Sequence, residues 1–184
     1  MIWIIGLILD KLAFFSGRVR AMYYLHLLGS HGKNVHIENG CSLNAKNIFI
    51  GDNVFIGDGA KFLSSSAKIY IGNNVMFGPN VSIVTGDHNI NTLGTLMINA
   101  HEKMDGDDQD VIIEDDVWVG MGVIILKGVR FGKGSVIGAG TLLTKDILPY
   151  SVVTNERITR IRKRFDDDSI KLHEKMLKEQ NNRM

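Results

Sequence analysis

Residues 113–143 read IEDDVWVGMGVIILKGVRFGKGSVIGAGTLL, and a large apolar residue returns at every sixth position of this stretch. The series consists of Ile113, Val119, Ile125, Phe131, Ile137 and Leu143. A small or β-branched residue follows most of them by four positions, and Gly, Asp, Asn and Lys fill much of the remainder. A period of six matches neither the period of a helix nor that of a flat strand. It predicts coils of three short strands, joined by turns in which Gly and Asn supply positive φ.

The same interval of six occurs twice further upstream, at Ile50, Ile56 and Phe62, and again at Ile71, Phe77 and Ile83. Short fixed-period repeats of this kind are typical of a parallel β-helix, in which each coil buries its apolar face against its neighbours. We therefore predict an all-β fold whose coils occupy residues 30–155. The step from Ile50 to Ile71 is longer than three intervals of six, which indicates a short insertion around Ser64–Ser66.

One long segment breaks the repeat. Continued at the same interval, the coil that starts at Ile71 would end just before position 89, but the pattern stops after Ile83 and resumes only at Ile113. The excess chain must leave the coils and return to them. Residues 85–110 are therefore predicted to form an extruded loop, and loops of this length inside a compact fold are usually functional.

Composition narrows the class of protein. With 184 residues, 45% of them hydrophobic and 22% charged, the chain can bury a sizeable core. The formal net charge of +1 and the lack of a basic stripe give no reason to expect nucleic acid as a partner. The single Cys41 excludes an internal disulfide and suits a reducing compartment, so we expect a cytoplasmic protein. Its place in the repeat predicts a core residue.

The two ends of the chain do not follow the repeat. Residues 1–29 are predicted to form an apolar helix, too short in its apolar part to cross a bilayer and without the features of a signal peptide. The helix either caps the first coil and packs against a sister subunit, or lies at the inner membrane face through residues 1–20. In the second interpretation, Lys11, Arg18 and Arg20 lie at the lipid headgroups. Residues 156–184 are predicted to form a charged amphipathic helix.

Three motifs carry more specific information: TGDH at residues 85–88, DVWVGMGVIILKGV at 116–129 and GAGTLLTKDI at 138–147. Together with the repeat they resemble the hexapeptide-repeat acyltransferases, within which the sugar and polysaccharide O-acetyltransferases related to maltose and galactoside acetyltransferase match best. The resemblance covers residues 30–153. It implies a left-handed β-helix, a homotrimer with active sites between neighbouring subunits, and acetyl-CoA as cosubstrate with no metal.

The resemblance assigns the general base to His88. In that role the imidazole removes a proton from an acceptor hydroxyl as the hydroxyl attacks the acetyl thioester. The chemistry is reasonable in itself, because an alcohol is a poor nucleophile at neutral pH whereas an imidazole is then mostly free base. Asp87 or a backbone carbonyl would hold the other ring nitrogen and fix the tautomer. The alternative interpretation makes His88 an ordinary polar loop residue.

The resemblance also implies contacts for the cosubstrate. Backbone N–H groups of Met121 and Gly122 would donate to the thioester oxygen as it becomes tetrahedral. Trp118 would line the acceptor or pantetheine side, unless it is simply an apolar surface residue. Coenzyme A would then contact Ala139, Gly140, Thr144 and Lys145.

The chain departs from the family after the last motif. Where relatives carry a Gly-x-Pro-Ala-Lys stretch over the adenine, residues 154–162 read TNERITRIR. The adenine end would therefore need Arg157, Arg160 or Arg162 in place of the lost contacts.

The expected function is acetyl-CoA-dependent O-acetylation of a sugar or polysaccharide precursor. The polar side chains offered to such an acceptor are Asn89, Asn91, Asn99, Asp105 and Asp108. Three alternatives stay open: N-acetylation of an amino sugar or nucleotide sugar, a non-catalytic trimeric scaffold, and a γ-class carbonic anhydrase. The last needs three histidines on zinc, and the central loop contains only His88 and His101.

Overall fold

The computed structural model describes residues 2–90, 92, 96–154, 160–163 and 165–181. Helix α1 (Ile2–Leu27) comes first, short strands follow, and helix α2 (Asp167–Asn181) ends the described part of the chain. The strands form three sheets, which are the three sides of a prism.

Successive strands of the chain move from one sheet to the next. Sheet 1 contains β1 (Ser30–His31), β4 (Ile48–Ile50), β7 (Ile69–Ile71), β10 (Val111–Ile113) and β13 (Arg130–Phe131). Sheet 2 contains β2 (His36–Ile37), β5 (Phe55–Ile56), β8 (Met76–Phe77), β11 (Trp118–Val119), β14 (Val136–Ile137), β16 (Ser151–Thr154) and β17 (Arg160–Lys163). Sheet 3 contains β3 (Ser42–Leu43), β6 (Lys61–Leu63), β9 (Ser82–Val84), β12 (Ile124–Ile125) and β15 (Leu142–Leu143). Within each sheet, neighbours from successive coils pair in parallel, apart from the β16–β17 pair, so the predicted parallel β-helix is present.

The six-residue series forms the core. Its members in the last coils are at most 3% exposed. Phe62 and Phe77, which lie in two successive coils further upstream, are at most 1% exposed. Their ring centroids lie 5.2 Å apart in an edge-on arrangement. Ser135 and Thr141 occupy the small inward positions, and each hydroxyl donates to a backbone carbonyl three residues back at 2.7 Å. The buried hydroxyl groups are thus paired, as burial requires.

The corners of the prism explain the polar positions of the repeat. Asn53, Asn74 and Asp116 have positive φ at the corner between sheets 1 and 2. The side chain of Asn53 donates to that of Asn74 at 3.1 Å, so the turns are bonded coil to coil. At the next corner, a Cβ on Gly78 would lie 2.7 Å from the backbone nitrogen of Met121. Glycine is therefore needed where adjacent coils approach this closely.

Both interruptions leave the coils in register. Ile50 pairs with Ile71 across the short insertion, and Ile71 pairs with Ile113 across the long loop. The insertion and the extruded loop that were predicted from the spacing are thus accommodated outside the three sheets.

The C-terminal segment differs from the prediction. A helix was expected over residues 156–184, but Arg160–Lys163 form strand β17, antiparallel to β16, and the helix begins only at Asp167. The last coil leaves an edge of β16 without a parallel partner, and the returning chain supplies its hydrogen bonds. Helix α2 is held to the last coils by Glu174, which accepts from Lys133 Nζ at 2.9 Å and from the Tyr150 hydroxyl.

The N-terminal helix lies over the first coil. The Tyr24 hydroxyl donates to the carbonyl of Cys41 at 3.1 Å, and Cys41 is 1% exposed, as predicted for a core residue. Burial of its thiol raises the pKa of Cys41. Among the described residues, neither helix combines the length and the hydrophobicity that crossing a bilayer would require.

Candidate active site

The extruded loop begins and ends as a short antiparallel neck. It leaves directly after β9, and Gly86 forms a β-bridge with Asp108 on the returning chain. The backbone nitrogen of Asp87 donates to the carbonyl of Asp107 at 2.8 Å, and that of Gln109 donates to the carbonyl of Thr85 at 2.9 Å. The first residues of the TGDH motif are therefore fixed by backbone pairing, and His88 is the next residue beyond this neck.

The glycine of this motif is explained by its neighbours. A Cβ on Gly86 would lie 2.0 Å from a carboxylate oxygen of Asp108 and 2.6 Å from the Ser65 hydroxyl. The Asp108 carboxylate accepts from Ser66 Oγ at 2.5 Å and from Lys103 Nζ at 2.9 Å. Partial burial alone would raise the pKa of Asp108, but these donors and the charge of Lys103 outweigh it and lower the pKa to about 2. Asp108, expected to face the acceptor, instead holds the neck closed as a carboxylate.

Two lysines fasten the neck on either side of Asp87. Lys127, on the coil that follows the loop, places Nζ 2.7 Å from a carboxylate oxygen of Asp87. The same ammonium donates to the carbonyls of Gly106 at 2.7 Å and Asp107 at 3.3 Å. Lys103 donates to the backbone carbonyl of Asp87 at 2.5 Å. Lys127 thus joins both strands of the neck to the coil.

Asp87 therefore has a different partner from the one expected. Its carboxylate pairs with Lys127, and among the described residues no hydrogen bond joins it to His88. The arrangement gives Asp87 a part in fixing the turn that carries the histidine, and it leaves the orientation of the ring itself to other groups.

His88 is exposed, and the part of the chain that the structure describes gives its ring no hydrogen-bond partner. The residue after it is fixed: Asn89 is 4% exposed, and its amide donates to Thr92 Oγ1 and to the carbonyl of Glu102, both at 3.0 Å. Asn89 was expected to bind an acceptor, but its amide closes the loop on itself instead. His88 thus lies between two anchored residues with its imidazole open to solvent.

The residues expected to bind the thioester lie at a different corner. Trp118 is 52% exposed on the outer side of sheet 2, in register between Met76 and Val136. The N–H of Gly122 donates to the carbonyl of Pro79 at 2.9 Å, so it is committed to the adjacent coil. The N–H of Met121 has no acceptor among the described residues. Of the two predicted oxyanion donors, Met121 is therefore the one with a free N–H.

The residues expected to hold coenzyme A divide between two edges of sheet 3. The N–H of Gly140 donates to the carbonyl of Met121 at 2.8 Å, which places Ala139 and Gly140 directly over the Met121 turn, before sheet 3. Thr144 and Lys145 follow β15 and line a cavity of about 330 Å³. They lie after sheet 3, at the same edge as the loop neck.

The structure describes less of the arginines that were expected to contact the adenine end of coenzyme A. Arg160 and Arg162 lie in β17 beside β16, and the description there covers the backbone only. Arg157 and Asn91 lie outside the described residues.

One chain does not bring the predicted base, His88, and the predicted oxyanion donor, Met121, together. Met121 precedes β12, whereas Lys127, which contacts the neck below His88, follows it. From Gly122 to Lys127 the extended chain makes five residue steps, a span of roughly 16 Å at about 3.3 Å per residue. Both groups must lie within hydrogen-bond reach of one reacting centre, so this separation is too large for a site within a single prism.

Sequence reasoning missed both lysines of the neck. Lys127 occupies an exterior position of the LKGV segment and looks like an ordinary solvated turn residue. The neighbouring Gly128 marks the close approach of the neck to this coil, since a Cβ there would lie 2.3 Å from the side-chain oxygen of Gln109. In the described residues, no group of three His, Cys, Asp or Glu side chains is arranged to hold a metal ion.

Comparison with known proteins adds independent findings. Residues 110–145 match the family described as bacterial transferase hexapeptide (six repeats). The galactoside O-acetyltransferase of Lactococcus lactis is 36% identical over 144 residues, which are 78% of this chain and 59% of that enzyme. The chain thus spans less than two thirds of this relative.

Two solved structures are similar over more of their length. A maltose O-acetyltransferase from Clostridium difficile is 34% identical, with a TM-score of 0.57, over 76% of this chain and 71% of that one. A hexapeptide-repeat acetyltransferase from Vibrio cholerae, solved with acetyl coenzyme A, is 29% identical with a TM-score of 0.61, over 81% and 78% of the two chains. With these likenesses, the predicted left-handed parallel β-helix is confirmed as the fold class.

Proposed function

Because this chain belongs to the hexapeptide-repeat transferase family, we propose that it transfers an acetyl group from acetyl-CoA to a hydroxyl of a sugar or polysaccharide precursor. The observation that carries the proposal is the pinned neck of the extruded loop. Backbone pairing and two lysines fix the chain up to Asp87, so the next side chain, the exposed imidazole of His88, is held at a defined position.

His88 acts as the general base in this proposal. Its free ring nitrogen takes the proton of the acceptor hydroxyl while the hydroxyl oxygen attacks the thioester carbonyl carbon. The carbonyl oxygen becomes negatively charged in the tetrahedral intermediate and accepts a hydrogen bond from the Met121 N–H. The intermediate collapses by breaking the carbon–sulfur bond, and the imidazolium returns its proton to the leaving thiolate of coenzyme A.

The reacting groups come from two subunits of a homotrimer. Within one chain, the width of sheet 3 separates His88 from Met121. Where two prisms pack side by side, His88 of one subunit can lie next to Met121 of its neighbour. A seam between prisms also supplies a concave, water-excluding pocket around His88, which is exposed in the single chain. We place Trp118, Ala139 and Gly140 along coenzyme A on the Met121 side of this seam.

The remaining cosubstrate contacts are Thr144 and Lys145, together with Arg160. The cavity of about 330 Å³ beside β15 offers the Thr144 hydroxyl and the Lys145 ammonium to a phosphate group. The backbone of β17 places Arg160 opposite Thr154, where the Gly-x-Pro stretch of the family is missing. The reaction belongs in the cytoplasm, where acetyl-CoA is available and the Cys41 thiol stays reduced.

Two relatives, named for galactoside and maltose O-acetylation, support a sugar hydroxyl as acceptor. Asn99, His101 and Asp105 are exposed on the loop and can bond sugar hydroxyls. Mass spectrometry of the product before and after mild base treatment tests this assignment. We expect the acetyl group to be removed, as an ester is; an acetyl group that survives the treatment would indicate an amide and rule out O-acetylation.

Two variants test the catalytic roles. His88→Ala is expected to lower the rate of transfer on the order of 10²- to 10⁴-fold, the range for losing a general base. Met121→Pro removes the backbone N–H together with the exposed thioether side chain, and the fold already accepts proline at this corner, since Pro79 stands in register one coil earlier. Losing one oxyanion donor is expected to lower kcat about 10²- to 10³-fold. Asp58→Pro places proline at the same corner one coil before Pro79 and is the matched control.

Co-expression of the two inactive variants tests the seam. Each is given a different affinity tag, and mixed oligomers are purified through both tags. If each site takes His88 from one chain and Met121 from its neighbour, a purified mixed trimer has one intact site of three, so activity should return to about one third of the wild-type value. Mixed oligomers that stay as inactive as either parent would place the two residues in one chain or remove one of them from its role.

A further inference from the structure

Helix α1 has two different sides. Its inner side covers the first coil: Ala21, Leu25 and Leu28 pack against the core, and Tyr24, 7% exposed, bonds to Cys41. This side explains the capping function that the sequence allowed. It does not explain why the opposite side is also apolar.

The outer side carries a continuous apolar stripe. Phe15, Val19, Met22 and Tyr23 are spaced at i, i+4, i+7 and i+8, which places them on one face of the helix. They are 67%, 52%, 71% and 60% exposed, respectively. We refer to these four residues as the outer stripe. Leaving four large apolar side chains in water on one helix face is unfavourable unless a partner covers them.

Positive charge flanks the outer stripe on both sides. At about 100° per residue, Arg18 lies roughly 40° beyond one edge of the stripe and Arg20 roughly 60° beyond the other. Both arginines are exposed, and Arg20 also donates to the Tyr24 hydroxyl at 3.2 Å. From Lys11 to Ile37 the sequence contains no Asp or Glu. Glu38 of the first coil lines the same cavity as Arg18 and Met22, at the margin of the stripe. The stripe itself lies between cations on a helix segment without acidic residues, which fits a surface that is apolar beneath an anionic layer.

We propose that the outer stripe binds the surface of an anionic lipid bilayer, with α1 lying in the plane of the interface. The four apolar side chains enter the boundary between headgroups and acyl chains, and Arg18 and Arg20 contact lipid phosphates. A second copy of the same face would be a poorer partner, because it would bring the four arginine side chains of two copies together. The proposal is independent of the acetyl-transfer activity.

Vesicle sedimentation with the full-length chain tests the proposal. Vesicles of phosphatidylcholine alone and of phosphatidylcholine mixed with phosphatidylglycerol are compared at low and high salt. We expect sedimentation with the mixed vesicles, weakened at high salt because exposed charge pairs are screened. Val19→Glu combined with Met22→Glu should weaken binding on the order of tenfold or more, since it places acids in the apolar layer.

A control variant separates lipid binding from general surface hydrophobicity. Leu148 is 70% exposed in the last coil, at the other end of the prism, and Leu148→Glu should leave sedimentation unchanged. Light scattering of each variant reports the oligomeric state. Equal binding by wild type and the Val19/Met22 variant, or no binding to anionic vesicles, would overturn the proposal. So would a Val19/Met22 variant that dissociates, because the stripe would then be an interface between copies.

Discussion

Removing the Lys127 ammonium should impair the proposed reaction without unfolding the protein. The substitution is Lys127→Met, which keeps an unbranched side chain one atom shorter and deletes the three contacts of the ammonium with the loop neck. Two of these contacts are with backbone carbonyls, each expected to contribute about 1 kcal/mol. The third is with Asp87, whose side chain is 58% exposed, so the pair adds at most about 1 kcal/mol. The neck thus loses roughly 2–3 kcal/mol of local stability.

The consequence for turnover follows from the position of the neck. His88 is the next residue after Asp87, and a displacement of about 1 Å at a reacting group can cost on the order of 10²-fold in rate. We therefore expect kcat to fall roughly 10- to 100-fold, while KM for acetyl-CoA changes little because Lys127 is not itself among the proposed cosubstrate contacts. The assay is release of the coenzyme A thiol, with galactosides and maltose as acceptors.

Three comparisons give this prediction its controls. Lys127→Arg keeps the charge and should retain more activity than Lys127→Met, although its planar donors fit the three acceptors less well. Lys61→Met removes an exposed lysine from β6 and should have no effect. Limited proteolysis should cut the loop of Lys127→Met faster than that of wild type. A folded Lys127→Met with wild-type kcat and an equally protected loop would show that Lys127 does not position the histidine.

Two further predictions concern stability. Phe62→Ala should lower the free energy of unfolding, measured by urea titration, by about 3–5 kcal/mol, because removal of a fully buried ring that packs edge-on against Phe77 leaves a cavity. The control Lys61→Met, on the same strand, should change the free energy of unfolding by less than about 0.5 kcal/mol. Because the pKa of Asp108 is lowered to about 2, its carboxylate stabilises the folded neck above about pH 4 and progressively less as the pH falls toward 2. The difference in melting temperature between wild type and Asp108→Asn should therefore shrink over that range, and a difference that stays constant would contradict the assignment.

The fold could be predicted because its determinants are local and repeated. Each coil places a large apolar residue at the same inward position and a residue with positive φ at the same corner. The inward position of Ile113 and the corner position of Asn53 can therefore be predicted from a single repeat. The strand β17 could not be predicted in this way. Whether Arg160–Lys163 becomes helix or strand depends on the free edge of β16, a partner that exists only once the last coil has formed.

The candidate site could be predicted only in part, for a related reason. The position of His88 follows from the break in the repeat and from the TGDH motif. The contacts of Lys127 with Gly106 and Asp107 join residues that are distant in sequence across the neck, and no local pattern encodes them. The difference between Met121 and Gly122 as donors likewise depends on the register with Pro79 in the adjacent coil.

The geometry of the prism also explains why a family built on this repeat would use neighbouring subunits for its chemistry. The core of each coil is filled by the inward side chains, and its short period leaves no room for a cleft within it. The loop neck at one edge of sheet 3 is bonded to the next coil through Lys127, and the Met121 turn at the other edge is bonded through its carbonyl, which accepts from the Gly140 N–H, so both are held in place. Rigid groups on convex edges gain a shared pocket only when two prisms meet. The same rigidity that keeps His88 and Met121 apart in one chain would hold them in fixed relation across a seam, and this is the preorganisation that stabilisation of an oxyanion requires.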